Sequence, residues 1–337
     1  MSHVLVARQD NAGDVLLAGP AVRAVAAGAE RVTLLCGPAG AHAARLLPGV
    51  DAVVVEPAEW IAADPAAVDR ATVLRRVDRV AALGVDEALV LTSFHQSPLP
   101  LALLLRLAGV PRIGAISVDY PGSLLDVRHA IDDDVHEVER GLSLAAAMGF
   151  TLAPGDDDRL RVRGAGARDR DPARVVVHPG ASVPARAWAP ERHRDLVAGL
   201  VAEGRDVTVT GGPAERELTR AVAGDGATDL GGETSLADLA ELLAGAGCLV
   251  TGNTGPAHLA AAVGTPVVSL YAPTVPAVRW RPWRVPHVLL HRDVPCAGCR
   301  ARICPIPGHP CIDDVTVDEV LAAVGRLAGA TRAEVAA

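Results

Sequence analysis

The chain has 337 residues, enough for two domains of ordinary size, each with its own core. Half the residues are hydrophobic and only 2% aromatic, so valine, leucine and alanine must build those cores; the longest apolar run, Leu99 to Leu105, is far too short to span a bilayer. The net charge of -8 and the lack of a basic block argue against nucleic acid as a partner.

In chain order, His3 to Arg8 reads as a buried strand and Asp14 to Ala27 as a helix, with Asp10-Asn11-Ala12-Gly13 as the turn between them. The same grammar recurs at Arg31 to Leu35, followed by Gly37-Pro38, then at Ala52 to Val55 and at Ala88 to Leu91. After Leu91 come the loop Thr92 to Pro98, a helix near Leu99 to Leu107 and a strand at Arg112 to Ser117. Strands that alternate with helices predict a parallel sheet covered on both faces. Residues 132–149 read as a further helix, and its dipole accounts for Asp132, Asp133 and Asp134 at the start. Residues 153–173, dense in charge and glycine, read as a linker between domains 1–152 and 174–337.

The second half restarts the pattern with Val175-Val176-Val177-His178-Pro179-Gly180, then Val207 to Thr210 with Gly211-Gly212, then strands near Leu249 and at Val267 to Tyr271. Ser235 with Asp238 marks a helix start and carries no chemistry. Ligands of open parallel sheets bind beyond the carboxyl ends of the strands, where these glycine turns fall. The expected fold is α/β, with two facing doubly wound domains, a site in the cleft between them, and a C-terminal helix able to pack back on the first domain.

The densest signal is Thr251-Gly252-Asn253-Thr254-Gly255-Pro256-Ala257-His258. A strand ends here and an alanine-rich helix begins, with Pro256 pre-organised for its first turn. Backbone amides of Thr254 and Gly255, together with the helix dipole, suit an anion, and His258 stands one turn in. An ordinary strand-to-helix corner with a core-facing histidine fits the same residues. Farther on, Arg279-Trp280-Arg281-Pro282-Trp283-Arg284 is either an anion-binding patch or a packed loop.

Cys36 and Cys248 stand alone, while Cys296, Cys299, Cys304 and Cys311 crowd into 16 residues. The first pair is a good metal half-site, but the remaining spacings are irregular for a zinc ribbon, which leaves a structural metal, free thiols and a redox pair all open.

Three stretches, in this order along the chain, carry a resemblance. Arg8-x4-Gly13-Asp14-Val15-Leu16-x3-Pro20, then His178-Pro179-Gly180 through Arg186-x-Trp188-x-Pro190-Glu191, then Gly252 to His258 are similar to the three motifs of glycosyltransferase family 9, the heptosyltransferases. The cysteine-rich tail resembles that of the lipopolysaccharide heptosyltransferase II branch. The resemblance implies a GT-B fold of two Rossmann-like domains, the first for the acceptor and the second for the nucleotide-sugar donor. It further implies inverting, metal-independent transfer from ADP-heptose, with no cofactor required. The acceptor would be a glycan, a lipid-linked molecule or a small molecule, and a cytoplasmic protein with at most peripheral membrane contact is expected.

Under that resemblance Asp14 is the base, since an acceptor hydroxyl attacks well only once a carboxylate takes its proton. Gly13 before it, and His95 and Gln96 in the loop after Leu91, are candidates for reading the acceptor, with Phe94 and Tyr120 beside them. Ser182, Arg186, Glu215, Asn253, Thr254, Gly255 and His258 would hold the donor, Glu215 at its ribose. The family commonly has lysine at position 186 and aspartate at position 253. Arginine keeps the charge; asparagine keeps hydrogen bonding but loses the charge. Transfer or epimerisation of another nucleotide sugar, and a nucleotide-binding module without turnover, are the competing readings.

Overall fold

A computed structural model describes residues 2–62, 64–166 and 168–328. In the first half the elements run β1 (His3–Arg8), α1 (Ala12–Leu17), α2 (Gly19–Gly28), β2 (Arg31–Cys36), α3 (Ala41–Leu46), β3 (Ala52–Val55), α4 (Arg70–Ala81), β4 (Glu87–Val90), α5 (Leu99–Leu107), β5 (Arg112–Ile116), β6 (Val127–His129) and α6 (Glu137–Ala147). The second half follows with β7 (Asp171–His178), α7 (Pro190–Ala202), β8 (Asp206–Gly211), α8 (Arg216–Ala223), β9 (Thr228–Gly231), α9 (Leu236–Ala244), β10 (Ala246–Gly252) and α10 (Gly255–Val263). It closes with β11 (Val267–Leu270), α11 (Ala277–Trp280), β12 (His287–Leu290), α12 (Pro310–Asp313) and α13 (Val317–Ala328).

The chain divides into two units, Met1–Arg161 and Val162–Ala337. Each holds a six-stranded sheet, in orders β3-β2-β1-β4-β5-β6 and β12-β11-β10-β7-β8-β9, and every strand pair is parallel. Both sheets have the doubly wound order, which reverses direction between β1 and β4 and between β7 and β10. Central strands of this kind are buried on both faces and therefore read as unbroken apolar runs: Val4, Leu5 and Val6, like Val175, Val176 and Val177, have no exposed surface.

Local chemistry moves several expected boundaries. The helix expected from Asp14 begins at Ala12 and divides at Ala18, because Pro20 in the first turn of α2 cannot donate to the ladder. Asp132, Asp133 and Asp134 precede α6 rather than start it; its cap is His136, paired reciprocally with Glu139, so the dipole does not explain the triplet. Residues 153–161 belong to the first unit, where Asp156 takes a two-pronged contact from Arg23 at 2.7 and 2.8 Å. The last described helix, α13, packs on α7 and the second sheet through Val320, Val324 and Leu327; residues 329–337 lie outside the described residues. No helix of the described residues is long and apolar enough to cross a membrane.

The second core contains Trp188, 2% exposed, which meets His193 edge-on with 5.0 Å between ring centres. Burial, helped by the nearby His178, holds the His193 imidazole down from 6.5 to about 3. The folded unit therefore stays neutral at His193 while the unfolded chain takes up a proton below pH 6.5, so stability falls as pH drops from 6.5 towards 3. At ~1.4 kcal/mol per pH unit, the loss from pH 6.5 to pH 5 is about 2 kcal/mol. Urea unfolding followed by tryptophan fluorescence should show a loss in His193→Phe smaller than in the wild type by about that amount, the buried His178 contributing to both; equal losses in both would contradict it.

Candidate active site

In the first unit the loops after β1 and β4 part company, because the strand order reverses there and the two crossovers leave on opposite faces. Arg8, the last residue of β1, is 4% exposed, and its guanidinium is surrounded by carboxylates. Its Nε lies 2.7 Å from Asp10 Oδ2, and Nη1 donates to Glu137 Oε2 at 3.0 Å. Nη2 donates to Asp14 Oδ1 at 3.0 Å and to Ser93 Oγ at 2.9 Å. Burial alone would push this guanidinium down, but Asp10, Glu137 and Asp14 outweigh it and hold the group above its ordinary value. Burial pushes the Asp10 carboxyl up against the pull of Arg8, and the charge of Asp14 pushes the same way.

Side-chain exposure separates the three carboxylates: 6% for Asp10, 1% for Glu137 and 19% for Asp14. Asp14 is thus the most exposed carboxylate of the cluster. Gly13 beside it is buried inside α1 in helical conformation, so it does not bend the chain to aim Asp14. The Gln96 side chain donates to Asp10 and accepts from the Ser93 amide at 3.1 Å, which stitches the loop after β4 to the Arg8 cluster. His95 is exposed and meets Phe94 edge-on, and Tyr120 is exposed as well.

In the second unit β7 and β10 flank the reversal, with Thr251 opposite His178. Thr251 Oγ1 donates to the His178 carbonyl at 3.1 Å and lies 3.2 Å from Thr254 Oγ1, so these two strand ends are laced together. The Thr254 amide, expected to point outwards, instead donates to Gly252 O at 2.9 Å inside the turn. The Gly255 amide opens α10 at its positive end, among the N–H groups that a helix start leaves without an intrahelical acceptor. Asn253 is 8% exposed, and neither atom of its amide completes a hydrogen bond, although it faces the buried Tyr271 hydroxyl. The NH2 of a buried amide beside a helix N-terminus is a donor that an anionic ligand would engage. His258 is buried in the same helix.

Ser182 is exposed in the loop after β7, and Arg186 closes a short turn, Pro184–Arg186, where its Nε donates to Thr274 Oγ1 at 3.3 Å. Two residues on, Trp188 is the core anchor that holds this turn in place. Glu215 bends back over Gly180: it accepts from the Gly212 amide at 2.7 Å, and a Cβ on Gly180 would sit 2.0 Å from its Oε1. His178 Nε2 stands 3.9 Å from the same carboxylate.

The model of glycosyltransferase family 9 (heptosyltransferase) matches residues 86–309, well over half of the chain. The chain belongs to this family. Lipopolysaccharide heptosyltransferase 1 of Pseudomonas aeruginosa is 35% identical over 174 residues, which cover 50% of this chain and 48% of that protein. The chain thus spans about half the length of the relatives that its sequence matches. Among solved structures, the Escherichia coli ADP-heptose heptosyltransferase II aligns with a TM-score of 0.73 and 20% identity, covering 97% of this chain and 98% of that one. E. coli heptosyltransferase WaaC with ADP aligns at 0.67 and 21%, covering 99% of both chains. The two parallel sheets are those of the GT-B heptosyltransferase fold.

The family match begins after Asp14, so the Arg8 cluster rests on geometry and on the first motif. Sequence reading missed Glu137 and Ser93, which lie 129 and 85 residues from Arg8, and Thr274, which lies 88 residues from Arg186; no local periodicity signals them. In the basic aromatic patch, Arg279 and Trp283 are buried, and Arg284 stacks 5.4 Å over the Trp283 ring. The four clustered cysteines carry no disulfide, and with His309 they line one cavity of about 50 Å³. Burial pushes the Cys311 thiol up to about 11, and its thiol neighbours push the same way. Among the described residues no three histidine, cysteine or carboxylate side chains gather as a metal-holding group.

Two outcomes follow from this family 9 geometry. Arg8→Met leaves Asp10 and Glu137 buried without their shared cation and should cost about 3–5 kcal/mol in denaturant unfolding, with Arg8→Lys regaining part; a loss below ~1 kcal/mol would contradict the cluster. Gly180→Ala must swing the flexible Glu215 carboxylate aside, so ADP affinity should fall about tenfold with little change in melting temperature. Unchanged ADP affinity would leave Glu215 with its contact to the Gly212 amide and no part in nucleotide binding.

Proposed function

We propose that this chain is an inverting, metal-independent glycosyltransferase that moves a heptose from ADP-heptose to an acceptor hydroxyl. The observation that carries the reading is the turn from Gly252 to His258, where the buried Asn253 amide and the start of α10 stand together in a chain of the heptosyltransferase family. The donor diphosphate takes the Gly255 amide, the Asn253 side chain and His258, with Arg186 and Ser182 on the facing loop. Glu215, aimed over Gly180, accepts from the ribose hydroxyls.

As the glycosidic bond to phosphate breaks, negative charge grows on the diphosphate oxygens and the sugar carbon becomes oxocarbenium-like. Arg186 and the positive end of α10 stabilise that charge with fixed donors, the role a metal ion fills elsewhere. Asp14, held through Oδ1 by Arg8, takes the proton of the acceptor hydroxyl as it attacks the anomeric carbon from the face opposite the diphosphate, so configuration inverts. Gly13, His95 and Gln96 lie on the elements that would meet the acceptor, which we take to be a glycan, lipid-linked or small-molecule alcohol presented on the cytoplasmic side.

A screen of lipopolysaccharide-core and other glycan acceptors with ADP-heptose, read by mass spectrometry, should yield a heptosylated product. On that acceptor Asp14→Asn should lower kcat by about 100-fold or more and leave ADP affinity within about twofold. A wild-type rate in Asp14→Asn would place the base elsewhere.

A further inference from the structure

The segment from Cys296 to Cys311 takes no part in the chemistry above, yet its hydrogen bonds converge on the loops that carry Arg186 and Thr274. The Ala185 amide donates to Arg302 O at 2.9 Å, and His309 Nε2 returns to Ala185 O at 3.2 Å. The Gly298 amide donates to Pro273 O at 2.7 Å, and the Arg300 amide to Thr274 O at 3.0 Å. Just beyond, the Ala189 amide donates to Asp313 Oδ1 at 3.2 Å, while Asp313 Oδ2 lies 3.8 Å from His309 Nδ1.

A carbonyl can only accept, so His309 Nε2 carries a proton, and Asp313 faces the other ring nitrogen. His309 also adopts a left-handed backbone, with φ of 43°, a conformation that a non-glycine residue keeps only where its surroundings impose it. Both backbone groups of Ala185 are therefore pinned by one segment, immediately before Arg186. The carbonyl of Thr274, the residue that accepts from Arg186 Nε, is pinned by the same segment.

We infer that residues 296–313 form a clasp for the donor loop, in which His309 is a positioning residue that acts through Ala185 on Arg186. The inference rests on the reading of Arg186 as a donor residue, and it assigns the thiol-rich tail a mechanical part in donor affinity. Donor binding then depends on a side chain that touches Ala185 and not the nucleotide.

Calorimetric titration with ADP, paired with amide hydrogen exchange over residues 181–188, tests the clasp in His309→Ala and His309→Gln. Both replacements bear the same backbone strain, but glutamine carries an amide that can donate to Ala185 O. His309→Ala should weaken ADP about fivefold and speed exchange over 181–188, with His309→Gln back within about twofold of wild type. Unchanged affinity and exchange in His309→Ala would overturn the clasp, as would a glutamine variant no better than alanine. If His309→Ala does not fold, His309→Phe fills the same space without the donor and takes its place. If the wild type binds no ADP, the reading of Arg186 fails, and the exchange comparison still decides the clasp.

Discussion

Each sheet reverses its strand order once, and most candidate site residues of this chain stand where that happens. A parallel sheet buried on both faces must be built from apolar strands, so the first polar residues past each carboxyl end are placed by the core itself. Where the order reverses, the neighbouring loops diverge and leave backbone groups and side chains facing outwards. Arg8, Asp14 and Ser93 stand at the first reversal; His178, Arg186 and the Gly252 turn stand at the second.

Arginine is what makes the first of these places workable. Three carboxylates crowd one buried spot, and only a planar fork with five donors can serve Asp10, Glu137, Asp14 and Ser93 together. By drawing Asp10 and Glu137 inwards, Arg8 leaves Asp14 as the carboxylate at the surface. The second place is arranged differently: its charge comes from a helix end and from Arg186, whose turn is anchored behind by Trp188.

The alternation of strands and helices was legible because buried parallel strands appear as runs such as Val175 to Val177 and their turns are marked by glycine and proline. The strands β6, β9 and β12 were not, since they lie at sheet edges, are short and are only partly buried: Val127-Arg128-His129 has no apolar run to read. Asp14, Arg186 and the Gly252 turn follow the carboxyl ends of β1, β7 and β10, where motif and chain reversal coincide. The motifs could not show that the Thr254 amide is spent on Gly252, which depends on the local turn geometry, or that Glu137 reaches Arg8 across 129 residues. Long-range ion pairs leave no periodic trace in a single sequence.

The central claim is that the second reversal binds an adenine nucleotide without a metal ion. Calorimetric titration of the wild-type chain with ADP, UDP, GDP and dTDP in the presence of a chelator tests it most directly. The account predicts micromolar binding of ADP and at least tenfold weaker binding of the other three. Equal affinities, preference for another nucleotide, or binding of ADP only after a divalent cation is restored would contradict it.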